Sequence, residues 1–186
     1  TELIYELVND TDNEVTLFTR PRRFGKTLMM SMMENYFNIR KDSSGLFENL
    51  AITKHKIFCK EWMNQYPVLF VSFKDAEGED FEEAYRMLES RIADVCKELT
   101  DIAENSSVNP ADKAIYDRLM YGSGKKNEVK NSIKTLMRML YTVYGKQVIL
   151  LIDEYDVPLA KASEKDTAKN HYSSKMLDVI KGIMST

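Results

Sequence analysis

Gly25-Lys26-Thr27 and Asp153-Glu154 are the residues whose types and order in this chain suit chemistry on a phosphate. The first group closes the string Arg20-Pro21-Arg22-Arg23-Phe24-Gly25-Lys26-Thr27. A glycine at a helix start lets the backbone approach an anion, and the N–H groups of the first turn point at it. Lys26 can reach the β- and γ-phosphates of a nucleotide, and the Thr27 hydroxyl can ligate Mg²⁺. Phe24 and Leu28 complete the nucleotide-binding stretch. Of Arg22 and Arg23, one is expected to touch phosphate or the carboxylate strand and the other to be a solvated charge. The common form of this loop has a glycine five positions before Gly25, where this chain has Arg20.

Val148 to Ile152 is an apolar run that stops on Asp153-Glu154-Tyr155-Asp156. In a parallel sheet, ligands gather beyond the carboxyl ends of the strands. Asp153 is then placed to hold Mg²⁺ through water, and Glu154 to polarise an attacking water. Asp156 can meet Mg²⁺, Arg22 or Arg23, or simply open a turn before Pro158. Lys26 and Glu154 are the candidate catalytic residues, and Thr27 and Asp153 the candidate metal ligands. Together the two strings predict ATP and Mg²⁺ as ligands, and an ATPase or an ATP-operated switch.

Three other classes compete. A nucleotide-binding regulatory or scaffold module with little or no hydrolysis fits the arginine at position 20. Phosphoryl transfer to a small molecule is disfavoured, because many such kinases need no water-activating glutamate. A partner- or DNA-binding module with a vestigial loop is disfavoured by the acidic balance and by the lack of a wider basic stripe with aromatics. Adenine contacts in such sites come from variable loops, and Tyr5 with its segment is the candidate here.

Positioning these residues requires strands alternating with helices. Thr1 to Val8 reads as a short helix or turn. Glu14 to Thr19 alternates as a first strand, and from Lys26 onward Leu28, Met29, Met32, Met33, Tyr36 and Phe37 recur at helical spacing over a width that predicts burial on more than one side. Leu46 to Trp62 reads as short helical pieces, and Val68 to Phe73 as a strand apolar on both faces. Tyr85, Leu88, Ile92, Val95, Leu99 and Ile102 form one helical stripe. Pro110 suits a first helical turn, Tyr121 to Asn127 is a basic loop, and Val129 to Tyr144 is a helix that Gly145 ends. Gln147 to Ile152 is a third strand, and His171 to Met184 a last helix. The pattern predicts a parallel α/β sheet with right-handed crossovers.

The 186 residues make one domain of ordinary size, or one domain and part of another, with 44% apolar and 30% charged residues, as in soluble globular proteins. A net charge of -3 gives no global attraction to nucleic acid or anionic membrane. Two cysteines, Cys59 and Cys96, are too few for a disulfide framework and read as free thiols in a reducing compartment. No apolar run approaches the ~20 residues that span a bilayer. The expectation is a soluble, cytoplasmic protein with no membrane association, and a start at Thr1 that reads as trimmed.

The loop, the Asp153-Glu154-Tyr155-Asp156 run followed by Pro158, Leu46-Phe47-Glu48-Asn49-Leu50 and Tyr66-Pro67-Val68 through Lys74 together resemble the bacterial and archaeal AAA-ATPase-like family. The resemblance covers nearly all of residues 1–186, and it makes Arg20 a family feature. It implies a P-loop NTPase three-layer sandwich, a parallel central sheet flanked by helices, truncated at both ends. Asp153 lies 127 positions after Lys26, which suits AAA-like and STAND-like divisions. Many members carry a PD-(D/E)XK nuclease-like domain further along. The resemblance therefore implies a regulator of an attached C-terminal effector, with a homo-oligomer and DNA as further partners by analogy. The chain stops about thirty residues past Asp153, before the strands expected to hold sensor and arginine-finger residues.

Overall fold

Helices make up most of the secondary structure, with a small two-stranded sheet among the described residues. The computed structural model describes residues 1–10, 15–18, 24–165 and 171–185. In chain order the elements are α1 (Glu2–Asn9), α2 (Lys26–Phe37), α3 (Ser44–Phe47), a 3₁₀ turn (Ala51–Lys54), α4 (Lys56–Trp62), β1 (Val68–Ser72), α5 (Phe81–Lys97), α6 (Thr100–Ala103), α7 (Pro110–Met120), α8 (Lys126–Lys130), α9 (Ser132–Tyr144), β2 (Ile149–Asp153), α10 (Val157–Glu164) and α11 (Tyr172–Met184). β1 and β2 form a two-stranded sheet. Its parallel ladder starts where Ile149 N–H donates to Pro67 O at 2.9 Å and ends where Phe73 N–H donates to Asp153 O at 3.0 Å. The chain divides into two compact units, residues 1–68 with 146–151 and residues 69–145 with 152–186.

In the first unit, α2 buries Met29, Met33, Tyr36 and Phe37. Those positions lie on one face at i, i+4, i+7 and i+8, and Leu28 is 76% exposed. The helix is thus buried on one side, not on several as its composition suggested. The aromatic residues continue this core. Tyr36 meets Phe37 and Phe47 edge-on, and Trp62 stacks on Tyr66 at 4.6 Å between centroids. The Lys146 ammonium sits 5.4 Å over the Tyr66 ring and donates to Gln65 O at 2.8 Å. Asn64 ties the loops together. Its φ of 54° is left-handed, a conformation that asparagine tolerates better than most residues. Its Nδ2 donates to Asn35 O, Asn38 O and Ser43 Oγ, each at 3.0 Å, and its Oδ1 accepts from Ser43 N–H at 3.2 Å.

The strand expected over residues 14–19 is not formed in its described part. Val15 to Phe18 carry no strand, and Val15 and Leu17 are exposed. Alternation alone makes a strand only when a neighbour accepts its backbone groups.

In the second unit, Asp80 caps α5, its carboxylate accepting from Glu83 N–H at 2.9 Å. The expected stripe ends sooner than its periodicity suggested. α5 stops at Lys97, yet Leu99 and Ile102 stay buried because α6 resumes the helical course. Asn109 accepts from Ala111 N–H at 2.8 Å, with Pro110 in the first turn of α7. The helix expected over residues 129–144 is interrupted at Asn131, whose φ of -101° and ψ of 13° leave the helical region and separate α8 from α9. Gly145 ends α9 at φ 62°.

α8 is anchored by an ion pair. Arg118 donates to the Glu128 carboxylate through Nε at 3.0 Å and Nη2 at 2.6 Å, and the same carboxylate accepts from Lys125 N–H at 2.9 Å. The Arg118 hydrogen bond leads in holding the Glu128 carboxyl down at about 2, from an ordinary 4.5. A depressed carboxyl stabilises the fold above its unfolded value and loses that contribution as the pH falls toward the folded value. Thermal stability is therefore expected to decline between roughly pH 4.5 and 2, and Glu128→Gln should flatten the Glu128 share of that decline. Melting curves of both proteins across that window check it; parallel profiles would contradict it.

Candidate functional site

The phosphate-loop candidates that fall among the described residues are Phe24, Gly25, Lys26, Thr27 and Leu28, all in the first unit. Arg22 and Arg23, with Arg20 and Pro21, lie outside the described residues. Gly25 is the N-cap of α2 in the left-handed conformation, φ 75° and ψ 22°. A Cβ there would meet nothing within 4 Å, so the backbone conformation, not lack of room, calls for glycine. Gly25 O accepts the first helical bond from Met29 N–H at 3.0 Å. Gly25 has no side chain with which to cap this helix, and the amides of its first turn have no intrahelical acceptor. Lys26 is half-buried, and Phe24, Thr27 and Leu28 are exposed.

A helix start of this kind is one that can receive an anion. The backbone is open where a phosphate would approach, and a cation and a hydroxyl follow directly.

The carboxylate candidates lie in the second unit. Asp153 closes β2 and is 4% exposed. Its Oδ1 accepts from Glu154 N–H at 3.1 Å, and no other hydrogen bond to its carboxylate occurs among the described residues. A buried carboxylate with spare acceptor capacity suits a cation. No three His, Cys, Asp or Glu side chains gather as a metal cage among the described residues. Mg²⁺ needs none, because one or two carboxylates plus phosphate oxygens ordinarily hold it.

Glu154 is half-exposed and has φ 54°. Five described residues other than glycine have positive φ: Asn49, Asn64, Asp75, Glu154 and His171. Four are Asn, Asp or His, the types that accept this region; Glu154 is the exception. Local geometry explains the demand. Only three residues separate the end of β2 from the start of α10, and Glu154 O accepts from Val157 N–H at 3.1 Å to close the reversal. Asp156 is exposed and is the N-cap of α10.

Sequence reasoning overlooked the neighbouring strand end. The Phe73 amide bonds Asp153 O, which puts Lys74 and Asp75 at the carboxyl end of β1 beside the carboxylate pair. Lys74 N–H donates to Ser72 Oγ at 3.3 Å, and Asp75 is left-handed at φ 61°. The available signal was the end of the apolar run at Phe73. Tyr5, the candidate for adenine, is engaged within its own unit, stacked on His55 at 3.8 Å and edge-on to Phe58. His55 Nε2 lies 2.9 Å from Glu2 Oε2.

No helix among the described residues is long and apolar enough to cross a membrane. One protein similar to this chain is an "Uncharacterized protein in vnfD 5'region" of Azotobacter chroococcum mcd 1, 29% identical over 141 residues. That match covers 76% of this chain and 22% of the relative's length. No solved structure matches. The loop that opens α2, the strand that ends on Asp153-Glu154 and a match to the family described as "Predicted AAA-ATPase" over residues 1–185 agree: the chain belongs to the AAA-ATPase-like family.

Proposed function

We propose that this chain binds ATP with Mg²⁺ at Gly25 to Thr27 and hydrolyses it. The observation that carries the reading is the left-handed Gly25 at the uncapped start of α2. On this reading the backbone N–H groups of the α2 first turn hold phosphate oxygens. The Lys26 ammonium balances charge on the β- and γ-phosphates. Mg²⁺, held by the Thr27 hydroxyl and Asp153, would offset the charge that builds on the phosphates. Asp153 Oδ1 accepts from the Glu154 N–H, which leaves acceptor capacity on the carboxylate and supports that role. The Glu154 carboxylate orients the attacking water and accepts its proton.

The turnover drives a conformational or assembly switch for an attached effector domain. β1 and β2 then belong to the central parallel sheet of a P-loop sandwich. Family membership and the apolar β2 ending on an Asp-Glu pair support this wider frame.

Isothermal titration with ATP and Mg²⁺ tests the site. Saturable, Mg²⁺-dependent binding is expected, weakened about 10–100-fold by Lys26→Ala, the range for a lost charged hydrogen bond. Equal affinity in the variant would remove the loop from the site.

A further inference from the structure

The helical second unit carries a charge pattern that the nucleotide site does not use. Residues 125–144 hold Lys125, Lys126, Lys130, Lys134 and Arg138 against a single acid, Glu128, in a chain of net charge -3. α9 contains no acidic residue, and its exposed positions are Lys134, Arg138, Tyr141 and Thr142. Lys134, Arg138 and Tyr141 follow one another at i, i+4 and i+7, one face of a helix, about 10 Å from first to last.

Folding adds cations that the linear sequence scatters. Arg138 bonds the Asp112 carboxylate of α7 through Nε at 2.7 Å and Nη2 at 2.5 Å. Arg118 of α7 forks onto Glu128 in the same way. The pairs 112–138 and 118–128 run in opposite sequence directions, so they bracket Lys134 along the packed helices. Each arginine spends two of its five donors on a carboxylate that is largely covered, and its outer edge stays in solvent; the Arg138 side chain is 49% exposed. An arginine clamped in this way is held rigid with donors to spare. Lys126 and Lys134 make no ion pair among the described residues, so their charge is uncompensated. Tyr121, 77% exposed, follows the Arg118 end, and Tyr141, 55% exposed, follows Arg138.

We infer that this α7–α9 face binds single-stranded nucleic acid, with Arg118, Lys126, Lys134 and Arg138 on the phosphates and Tyr121 and Tyr141 stacking on bases. Cations tracking a backbone, with aromatic rings at either end, are the elements of sequence-tolerant single-strand binding. An anionic membrane is the poorer fit. The exposed α9 positions carry no aliphatic side chain to insert, which surface-seeking helices need.

The test is fluorescence anisotropy of a labelled 20-nucleotide oligothymidylate with this chain. Saturable binding is expected at 50 mM salt, weakening roughly fifty-fold by 200 mM for four phosphate contacts. Lys126→Glu with Lys134→Glu should weaken it about tenfold or more. Lys54→Glu with Lys56→Glu, the same charge change in the first unit, should not. Both pairs are exposed, and circular dichroism melts verify that each variant is folded. Tyr121→Ala with Tyr141→Ala should weaken the single strand but not a duplex of equal length. No saturable binding at 50 mM salt, equal losses from both lysine pairs, or no loss from the 126/134 pair overturns the inference. Tighter binding to phosphatidylserine vesicles, or to duplex with no effect of the tyrosines, overturns it in favour of those ligands.

Discussion

Glu154→Gln is expected to cut ATP turnover about 10²–10⁴-fold, the usual contribution of a positioned general base, while ATP affinity stays within about twofold. Gln has nearly the same size and can occupy the same left-handed backbone with similar strain, so the turn after β2 survives the change. The Glu154 N–H that bonds Asp153 Oδ1 belongs to the backbone and is retained, so the Asp153 carboxylate keeps its orientation. What disappears is one negative charge and the capacity to accept a proton from water. Steady-state phosphate release measures the loss, and titration calorimetry confirms intact binding. Hydrolysis that survives the substitution would place the base elsewhere, and Lys74 and Asp75 beside Asp153 would be the next positions to test.

Asn64→Ala should destabilise the first unit by about 3 kcal/mol. Ser43 is 4% exposed, and its N–H finds its acceptor in Asn64 Oδ1. Stranding a buried donor costs about 1–3 kcal/mol. Asn35 O and Asn38 O each lose one of their bonds, but Ser43 Oγ and Lys41 N–H still serve them. Alanine at φ 54° adds about 1 kcal/mol of backbone strain. Asn64→Gly removes the side chain without the strain, so it should lie about 1 kcal/mol above the alanine variant. Trp62, the only tryptophan and two residues away, reports the transition by fluorescence in urea. A loss below about 0.5 kcal/mol for Asn64→Ala would mean that water replaces the amide without penalty.

Local order was legible where a residue type acts through its own backbone. Pro110 opens α7, Gly145 closes α9, and the apolar runs at residues 68–73 and 147–152 form the two strands. Gly25 takes, at the start of α2, a left-handed backbone that glycine adopts freely. The failures came where pattern depends on a distant partner. Val15 and Leu17 alternate as a strand would, but alternation does not supply a neighbour. The helix through Asn131 is interrupted by a local change of backbone angles at that residue, which periodicity does not register. The basic and aromatic face of the second unit escaped notice for the same reason. Arg118, Lys126, Lys134 and Arg138 come from three helices, and only their packing brings out the pattern. All three of the loop's arginines, Arg20, Arg22 and Arg23, lie outside the described residues.

The backbone at Glu154 bears on how such a sequence persists. Glycine would hold that corner about 1 kcal/mol more comfortably, and the reversal from β2 into α10 needs no side chain there. Drift under selection for folding alone would favour the smaller residue, because most domains stand only slightly above the stability they require. On the proposed function, a glutamate in that conformation is a position where usefulness outweighs folding. In a homologue with glycine at this corner, the fold would be firmer and the carboxylate proposed to activate water would be gone.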